Sequence, residues 1–306
     1  MTDQMHVIVV MAPSGALVNR MLIENAVSAV QGQIVEAHRV AVPVSLVDHR
    51  EVIKFLIDCP DPERLSAQLR QLSDEHGADI ALQSRLSRCR PSGRAGFDMD
   101  STLISCEVID ELARVAGVGA EVAEITDRAM RGELDFDESF RTRLALLKGL
   151  DAGAVDELAD QLPVQSGLSE MATTLKARGL KLAIFSGGFI PIAERLKNDY
   201  GFDHVVANEL EIRDGKVTGK IVPPIVNREY KAEALGALAS RLGIHTEHCI
   251  AVGDGANDLS MMALAGLGVA FHAKPAVRAA SPIEITHIGL DGVCYLMGHE
   301  GEFAVA

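Results

Sequence analysis

One short segment, Phe97-Asp98-Met99-Asp100-Ser101-Thr102-Leu103-Ile104, orders the rest of this 306-residue sequence. It carries two carboxylates one residue apart, after an apolar residue and before two hydroxyls. Side chains two residues apart point to the same side of an extended backbone, so Asp98 and Asp100 can share one small volume. Two carboxylates at such a short distance need a cation between them or a shared proton. An Asp-x-Asp pair is also common in ordinary acidic turns, so its partners elsewhere in the chain must decide.

Three further segments offer polar side chains at strand ends or helix starts. The apolar run 249–252 predicts a buried strand, and Gly253-Asp254-Gly255-Ala256-Asn257-Asp258 follows it as a glycine loop. A strand over 181–185 leads into Ser186-Gly187-Gly188, and Lys231 begins an amphipathic helix over 231–242. Open α/β sheets bind ligands at the carboxyl ends of their strands. We therefore expect these groups to surround one site.

The order of these motifs resembles the haloacid dehalogenase (HAD) superfamily, whose pattern is Asp-x-Asp, Ser or Thr, Lys, and then an acidic pair. Within it, the motifs are similar to those of the phosphoserine phosphatase family, namely Asp98-Met-Asp-Ser-Thr, Ser186-Gly-Gly-Phe, Lys231 and Gly253-Asp-Gly-Ala-Asn-Asp-Leu. The resemblance covers roughly residues 94–300. Four spaced motifs match by accident far less often than one does. It implies an α/β fold with a Rossmann-like parallel sheet core and a small helical cap.

Composition narrows the class of protein. A length of 306 residues suits about two domains, and a hydrophobic content of 48% suits packed cores. No apolar run reaches the roughly 18 residues of a membrane span, and the N-terminus does not resemble a secretory signal. The net charge of −14 argues against nucleic acid or an anionic membrane as a partner. Five scattered cysteines without a Cys-x-x-Cys pair fit a cytoplasmic protein.

The first 84 residues predict a separate α+β domain. Strands are expected over 6–11, 33–42, 52–58 and 78–83, with helices over about 16–30 and 62–77. This β-α-β-β-α-β order is typical of ferredoxin-like sandwiches and resembles the ACT domain, an amino-acid-sensing module. Ser14, in the loop 12–15, is predicted to cap the first helix rather than to contact an effector. Pairing of two protomers into a homodimer is the alternative role of this domain.

A connection over 85–95 is expected to join that domain to the phosphatase domain at 96–306. It contains several arginines, which we interpret as a solvated basic face: Arg85, Arg88, Arg90 and Arg94. The apolar run before Asp98 is short, Arg94-Ala95-Gly96-Phe97, where the family usually has a longer one.

Residues from about 105 to 165 predict four short helices, over 107–116, 120–131, 136–147 and 154–162. Their position between the first two motifs resembles the helical cap of the phosphoserine phosphatases, which would exclude water and select the substrate. The resemblance implies that Glu107 contacts the substrate ammonium, Phe136 its stem and Arg143 its carboxylate. A guanidinium can grip a carboxylate through two parallel hydrogen bonds. The alternative is surface charges and a packed aromatic ring.

After the cap, helices are expected over 168–178 and 193–200, and Asp214-Gly215 predicts a hairpin turn. These segments are interpreted as scaffold for the motifs.

The resemblance also implies a mechanism with Mg²⁺ as cofactor. Asp98 would attack phosphorus and form an aspartyl-phosphate, and Asp100 would protonate the leaving oxygen and then activate water. The implied metal residues are Asp98, Asp100 through its backbone carbonyl, Asp254 and Asp258. The groups implied to hold the phosphoryl oxygens or the substrate are Ser186, the Gly187 N–H, Lys231 and Asn257.

Three functions are compatible with these features. The first is hydrolysis of O-phospho-L-serine to L-serine, the final step of serine biosynthesis. The second is phosphoryl transfer to an acceptor such as homoserine, or hydrolysis of another small phosphate. The third is a non-catalytic amino-acid sensor acting through the ACT-like domain. Glu107 and Arg143 favour an amino-acid substrate. The intact motif residues argue against the sensor: Asp98, Asp100, Lys231 and Asp254.

Overall fold

The structure of the chain is a computed structural model that describes residues 4–42, 50–88, 93–298 and 303. It contains two sheets, one antiparallel and one mostly parallel. Within the described part, no helix combines the length and the apolar character that crossing a bilayer requires.

The N-terminal region forms a four-stranded antiparallel sheet in the order β2-β3-β1-β4, with two helices packed on it. Its elements follow the order β-α-β-β-α-β: β1 Met5–Ala12, α1 Arg20–Ala29, β2 Gln33–Val40, β3 Glu51–Asp58, α2 Pro62–His76 and β4 Asp79–Ser84. Apolar side chains of β1 and β3, such as Ile8 and Phe55, pack against Ile23 of α1 and Leu65 of α2. The predicted ferredoxin-like α+β architecture is confirmed.

The predicted start of α1 is wrong. The helix begins at Arg20, and its cap is Asn19, whose side-chain oxygen accepts a hydrogen bond from the Leu22 N–H at 3.1 Å. Gly15 adopts a left-handed φ of 91°, which keeps the backbone non-helical just after Ser14. Two residues suited to capping lie within one loop, and the second of them is the one that the helix uses.

The second sheet has seven strands in the order β11-β10-β9-β5-β6-β7-β8. All neighbouring pairs are parallel except the hairpin of β7 and β8, which turns at the predicted Asp214-Gly215. Its strands are β5 Arg94–Phe97, β6 Lys181–Phe189, β7 His204–Arg213, β8 Lys216–Val222, β9 Cys249–Gly253, β10 Leu267–Phe271 and β11 Glu284–Ile285. Helix α3 Arg85–Arg88 contacts β1 and β4 of the first sheet. The helices that follow in the second part of the chain, outside the cap, are α8 Leu168–Ala177, α9 Ile190–Tyr200, α10 Arg228–Ser240, α11 Leu259–Leu264, α12 Pro275–Ala280 and α13 Gly292–Leu296.

The short strand β5 lies at the centre of this sheet, and all four of its residues are buried. A Cβ atom added to Gly96 would lie 2.6 Å from the ring of Phe185, so glycine is needed where this ring crosses the strand. The strand order runs away from β5 in both directions, with β6 on one side and β9 on the other. The carboxyl end of β5 is therefore the topological switch point, where open α/β sheets bind ligands. Asp98 follows directly at that end.

Four helices form the cap between β5 and β6, as predicted: α4 Val108–Ala116, α5 Gly119–Met130, α6 Phe136–Leu146 and α7 Ala152–Ala159. Each starts or ends within two or three residues of the expected boundary, which is the usual accuracy at helix ends.

The interpretation of the arginine-rich connection as a solvated face is wrong for two of its members. Arg88 and Arg94 are each only 2% exposed. The Arg88 guanidinium donates hydrogen bonds to the carbonyl oxygens of Tyr295, Leu296 and Met297, at the end of α13. The last carbonyls of a helix generally lack donors from their own helix, and here a distant arginine supplies donors at the helix end. Residues 89–92, including Arg90, lie outside the described residues, and the division into domains near 84 and 96 stays a prediction.

Buried polar contacts join the two sheets. The Asp79 carboxylate, at the start of β4, accepts hydrogen bonds from the backbone N–H groups of Thr286, His287 and Ile288 at 2.6–3.2 Å. Arg50 Nη1 lies 2.6 Å from Oδ2 of Asp291, and both side chains are buried. The N-terminal sheet is therefore held to the C-terminal part of the chain by specific hydrogen bonds.

Candidate active site

A buried lysine joins two of the predicted aspartates. Lys231 Nζ lies 2.6 Å from Oδ1 of Asp98 and 2.7 Å from Oδ1 of Asp258. Helix α10, which carries this lysine, begins at Arg228 with Asn227 as its cap, three residues earlier than predicted. The Asp98 N–H donates to the Val252 carbonyl at 2.9 Å, which fixes the end of β5 beside β9.

Three carboxylates converge around this lysine. Asp98, Asp254 and Asp258 each present an oxygen, and the three oxygens lie within 4.8 Å of one another. Asp254 follows β9 directly, and Asp258 is held by the Gly255 N–H, which donates to its Oδ2 at 3.0 Å. With all three carboxylates ionised, the single ammonium of Lys231 would leave two negative charges uncompensated in a buried volume.

This acidic cluster fits a divalent cation. Burial, followed by the charge of Asp258, raises the pKa of Asp98 well above its usual range and the pKa of Asp254 to about 7. The cluster is therefore short of positive charge, and one divalent ion would balance it. Hard cations such as Mg²⁺ prefer carboxylate oxygens. These three aspartates can hold a metal.

The Asp100 carboxylate has a different environment from this cluster. Its Oδ1 accepts a hydrogen bond from the Val108 N–H at 2.8 Å, and its Oδ2 accepts one from the Ser186 hydroxyl at 3.2 Å. Burial, followed by the negative charge of Glu107, raises the pKa of Asp100 to about 7. A group with this pKa can both release and accept a proton near neutral pH.

The Ser186-Gly187-Gly188 segment forms the end of β6 beside Asp100. The Gly188 N–H donates to the Ser186 hydroxyl at 2.8 Å. A Cβ atom on Gly188 would lie 2.6 Å from Oδ2 of Asp100, so the second glycine allows this close approach. The Asn208 side chain donates to the Gly187 carbonyl at 2.7 Å and holds this turn in place.

A cavity of about 410 Å³ lies between the cap and the sheet. Its sheet side includes Asp98, Asp100, Gly187, Asp254 and Asn257, and its cap side includes Glu107, Phe136 and Arg143. The tip of the Phe136 ring lies 3.5 Å from where a Cβ atom on Gly187 would be, so the two sides approach each other closely. Three further predicted residues are buried behind this surface and contact residues that line it: Ser186 contacts Asp100, Lys231 contacts Asp98, and Asp258 contacts Gly255.

The cap side of the cavity has charges of both signs. Burial lowers the pKa of Arg143, while the negative charges of Asp110, Glu107 and Asp100 oppose this shift. The Glu107 carboxylate accepts a hydrogen bond from the Ser101 hydroxyl at 2.9 Å. A bound molecule therefore meets an acid and a guanidinium in the same space.

Some residues of this site were not predicted from the sequence. Asp110 lines the cavity, and Thr102 contacts Asp254 through its hydroxyl at 3.4 Å. Thr102 could have been found, because it belongs to the Asp-x-Asp-Ser-Thr segment. Asp110 has the sequence pattern of an ordinary acid in the first turn of a helix. Asn208 carries no local pattern that indicates its role.

Comparison with known proteins agrees with this geometry. Residues 95–263 match the family of haloacid dehalogenase-like hydrolases. The chain is 44% identical over 234 residues to phosphoserine phosphatase SerB2 of Mycobacterium tuberculosis, a match that covers 76% of this chain and 57% of that protein. It is 40% identical over 253 residues to the phosphoserine phosphatase of Archaeoglobus fulgidus, which covers 82% of this chain and 74% of that protein.

A solved structure resembles nearly the whole chain. The HAD-family hydrolase t0658 of Salmonella enterica serovar Typhi superposes with a TM-score of 0.85 at 32% identity, over 97% of this chain and 99% of that chain. The similarity thus includes the N-terminal sheet as well as the site. The predicted resemblance is confirmed, and the chain belongs to the haloacid dehalogenase-like hydrolase family.

Proposed function

We propose that this protein hydrolyses O-phospho-L-serine to L-serine and phosphate, the final step of serine biosynthesis. The observation that carries the proposal is the cavity in which the aspartate–lysine cluster faces Glu107 and Arg143 of the cap. A phosphorylated amino acid carries a phosphate at one end and an ammonium and a carboxylate at the other. The charges around the cavity are complementary to each of these groups once a metal is bound.

The chemistry proceeds in two displacements. An oxygen of Asp98 attacks phosphorus and forms the aspartyl-phosphate bond, while the bond to the serine oxygen breaks. Asp100 gives its proton to that leaving oxygen and later accepts a proton from the attacking water. Water then cleaves the aspartyl-phosphate and releases phosphate. The pKa of about 7 at Asp100 supports both proton transfers.

The proposed cofactor is Mg²⁺. Asp98, Asp254 and Asp258 would hold it, and the Asp100 backbone carbonyl would complete the protein ligands. When bound, Mg²⁺ supplies positive charge that neutralises the phosphoryl oxygens. The net negative charge of the cluster supports this role.

The phosphoryl oxygens are assigned to donors beside Asp98. Lys231 keeps its ammonium 2.6 Å from Asp98, where it can also reach an oxygen on the phosphorus that this aspartate attacks. The Ser186 hydroxyl and the Gly187 N–H lie at the neighbouring strand end, and Asn257 lines the cavity. Such fixed donors stabilise charge that develops in the transition state.

The cap residues are assigned to the amino-acid end of the substrate. Glu107 pairs with the ammonium, Arg143 grips the carboxylate, and the Phe136 ring packs on the stem. Closure of the cap over the substrate would exclude water during phosphoryl transfer.

The N-terminal sheet indicates a role besides catalysis. The N-terminal sheet supports an ACT-like role, either in binding an amino acid or in pairing two protomers, and the exposed side chains of Leu17 and Met21 suit the second of these. Light scattering of the purified protein tests whether a dimer forms.

The cysteines that the structure describes are free thiols, which supports a cytoplasmic location.

Phosphate release from a panel of small phosphomonoesters tests the proposed function. The panel contains O-phospho-L-serine, phosphothreonine and phosphoethanolamine, each with Mg²⁺ and with a chelator. We expect O-phospho-L-serine to be hydrolysed fastest and the chelator to stop the reaction. Faster hydrolysis of a phosphate that lacks the carboxylate would contradict the proposal, and release only in the presence of an acceptor such as homoserine would indicate a phosphotransferase.

A further inference from the structure

One face of helix α6 forms a wall of the cavity. The side chains on it follow the spacing i, i+3, i+4 and i+7: Phe136, Ser139, Phe140 and Arg143. Residues with this spacing lie on the same face of a helix. Ser139 therefore lies on that face between Phe136 and Arg143, the two residues assigned to the substrate.

The Ser139 hydroxyl is buried and unpaired in the part of the chain that the structure describes. The residue is 2% exposed, and its Oγ has no hydrogen-bond partner among the residues that the structure describes. A hydroxyl inside a helix can bond to the carbonyl four residues before. Thr126 does so with Val122 at 3.1 Å, and Thr142 does so with Glu138 at 2.7 Å. Ser139 departs from this pattern, and a buried polar group left unpaired destabilises the fold.

The same wall holds a second unpaired donor. Arg143 Nε is also buried and has no hydrogen-bond partner within the described ranges. Arg143 follows Ser139 by one helical turn, and both residues line the cavity. One wall of the cavity therefore carries two buried donors that are unpaired among the described residues.

We propose that Ser139 is a specificity-determining residue whose hydroxyl donates a hydrogen bond to the substrate carboxylate, beside the guanidinium of Arg143. The proposal rests on the proposed function, because it needs a substrate with a carboxylate. The carboxylate suits this position better than the ammonium does, since the adjacent Arg143 repels a cation. The acids of the cavity that can take the ammonium, Glu107 and Asp110, belong to α4 or its cap.

The variant Ser139→Ala tests this assignment with two substrates, O-phospho-L-serine and phosphoethanolamine, which lacks the carboxylate. We expect KM for O-phospho-L-serine to rise about tenfold, because a hydrogen bond to a charged group is lost. We expect kcat for this substrate to change less than twofold, and both constants for phosphoethanolamine to stay within twofold. The melting temperature should equal or exceed that of the parent protein, because an unpaired buried hydroxyl is removed.

Thr126→Val is the matched control. Thr126 lines the same cavity, but its hydroxyl already donates to the Val122 carbonyl, so its removal should not discriminate between the two substrates. An unchanged KM of Ser139→Ala for O-phospho-L-serine would overturn the assignment, and so would equal losses on both substrates. A parent protein that does not hydrolyse O-phospho-L-serine would overturn the proposed function and this assignment together, whereas an active parent with an unaffected variant would overturn this assignment alone.

Discussion

The ammonium of Lys231 lies 2.6 Å from the Oδ1 atom of Asp98, with both side chains buried at the carboxyl end of the central strand. Burial by itself would lower the pKa of Lys231, but the carboxylates of Asp258 and Asp98 raise it above its ordinary value. The lysine is therefore positively charged at every physiological pH. Its charge opposes the rise in the pKa of Asp98 that burial and the charge of Asp258 cause, and so favours the ionised form that the proposed attack on phosphorus requires.

Asp98→Asn should abolish turnover while the fold stays intact. The amide removes the proposed nucleophile, so we expect phosphate release from O-phospho-L-serine to fall by about 10⁴-fold or more. One negative charge fewer in the buried cluster should not destabilise the protein. Phosphate release and circular dichroism check the two halves of this prediction. A fully active variant would exclude Asp98 as the nucleophile.

Lys231→Met should destabilise the protein when a chelator is present. It leaves the carboxylates of Asp98 and Asp258 buried without their cation, a change that typically costs about 3–5 kcal/mol. Lys181→Met is the control, because Lys181 pairs with Asp203 at the surface with 60% of its side chain exposed, and such pairs contribute about 1 kcal/mol or less. Urea unfolding of both variants makes the comparison. Equal losses in the free energy of unfolding would show that burial of the Lys231 ion pairs does not add to stability.

The rate of serine release should fall as the pH rises above about 7. With a pKa of about 7, Asp100 is mostly protonated below that pH and mostly ionised above it, and only the protonated form can donate to the leaving oxygen. The single-turnover rate of serine release, measured from roughly pH 5 to 9, checks this prediction on both sides of neutrality. Because p-nitrophenolate leaves without a proton, the fall should be shallower for p-nitrophenyl phosphate. Parallel profiles for both substrates would contradict the role of Asp100 as the acid.

Glu107→Gln should move the fall in the rate of serine release to lower pH. The negative charge of Glu107 is the largest cause, after burial, of the raised pKa of Asp100, so its removal lowers that pKa. The proton is then lost at lower pH, and the fall begins earlier. The same single-turnover profile measures the shift, and a fall that stays at the same pH would show that Glu107 does not tune Asp100.

Arg143→Ala should weaken the use of O-phospho-L-serine in particular. Loss of a buried guanidinium–carboxylate contact costs about 2–5 kcal/mol, which corresponds to a fall in kcat/KM of about 30-fold or more. The change for phosphoethanolamine should be less than about threefold, because it has no carboxylate to lose. Arg143→Lys keeps the positive charge but loses the paired donors of the guanidinium. Its kcat/KM for O-phospho-L-serine should therefore lie between those of the parent protein and Arg143→Ala. Equal losses on both substrates would remove Arg143 from substrate selection.

Asp79→Ala should weaken the attachment of the N-terminal sheet. Three backbone N–H groups, of Thr286, His287 and Ile288, lose their acceptor in a mostly buried region, which should cost at least about 2 kcal/mol. Asp74→Ala is the control, because its partner in the exposed pair is Arg278 and its own side chain is 54% exposed. Urea unfolding and hydrogen exchange at 286–288 report the change. Unaltered exchange there would contradict the role of Asp79.

Much of the fold could be predicted because its causes are local. The apolar periodicity of α6 and the continuous apolar run of β1 are properties of neighbouring residues, and both elements form close to the predicted positions. The start of α1 could not be chosen in this way, since Ser14 and Asn19 both suit a helix cap. The burial of Arg88 was missed because its partners, Tyr295, Leu296 and Met297, are some 200 residues away in sequence.

The sequence by itself determined the order of the elements and the chemical types present in the site, because motifs and helix or strand periods depend on residues within a few positions. Only the tertiary structure decided which groups are paired and which are not. It joins Lys231 to Asp98, turns the Asp100 carboxylate toward Ser186 and leaves the Ser139 hydroxyl unpaired among the described residues. The physical reason is that burial and hydrogen-bond partners depend on atoms contributed by distant elements, and these determine the charge and reactivity of each side chain.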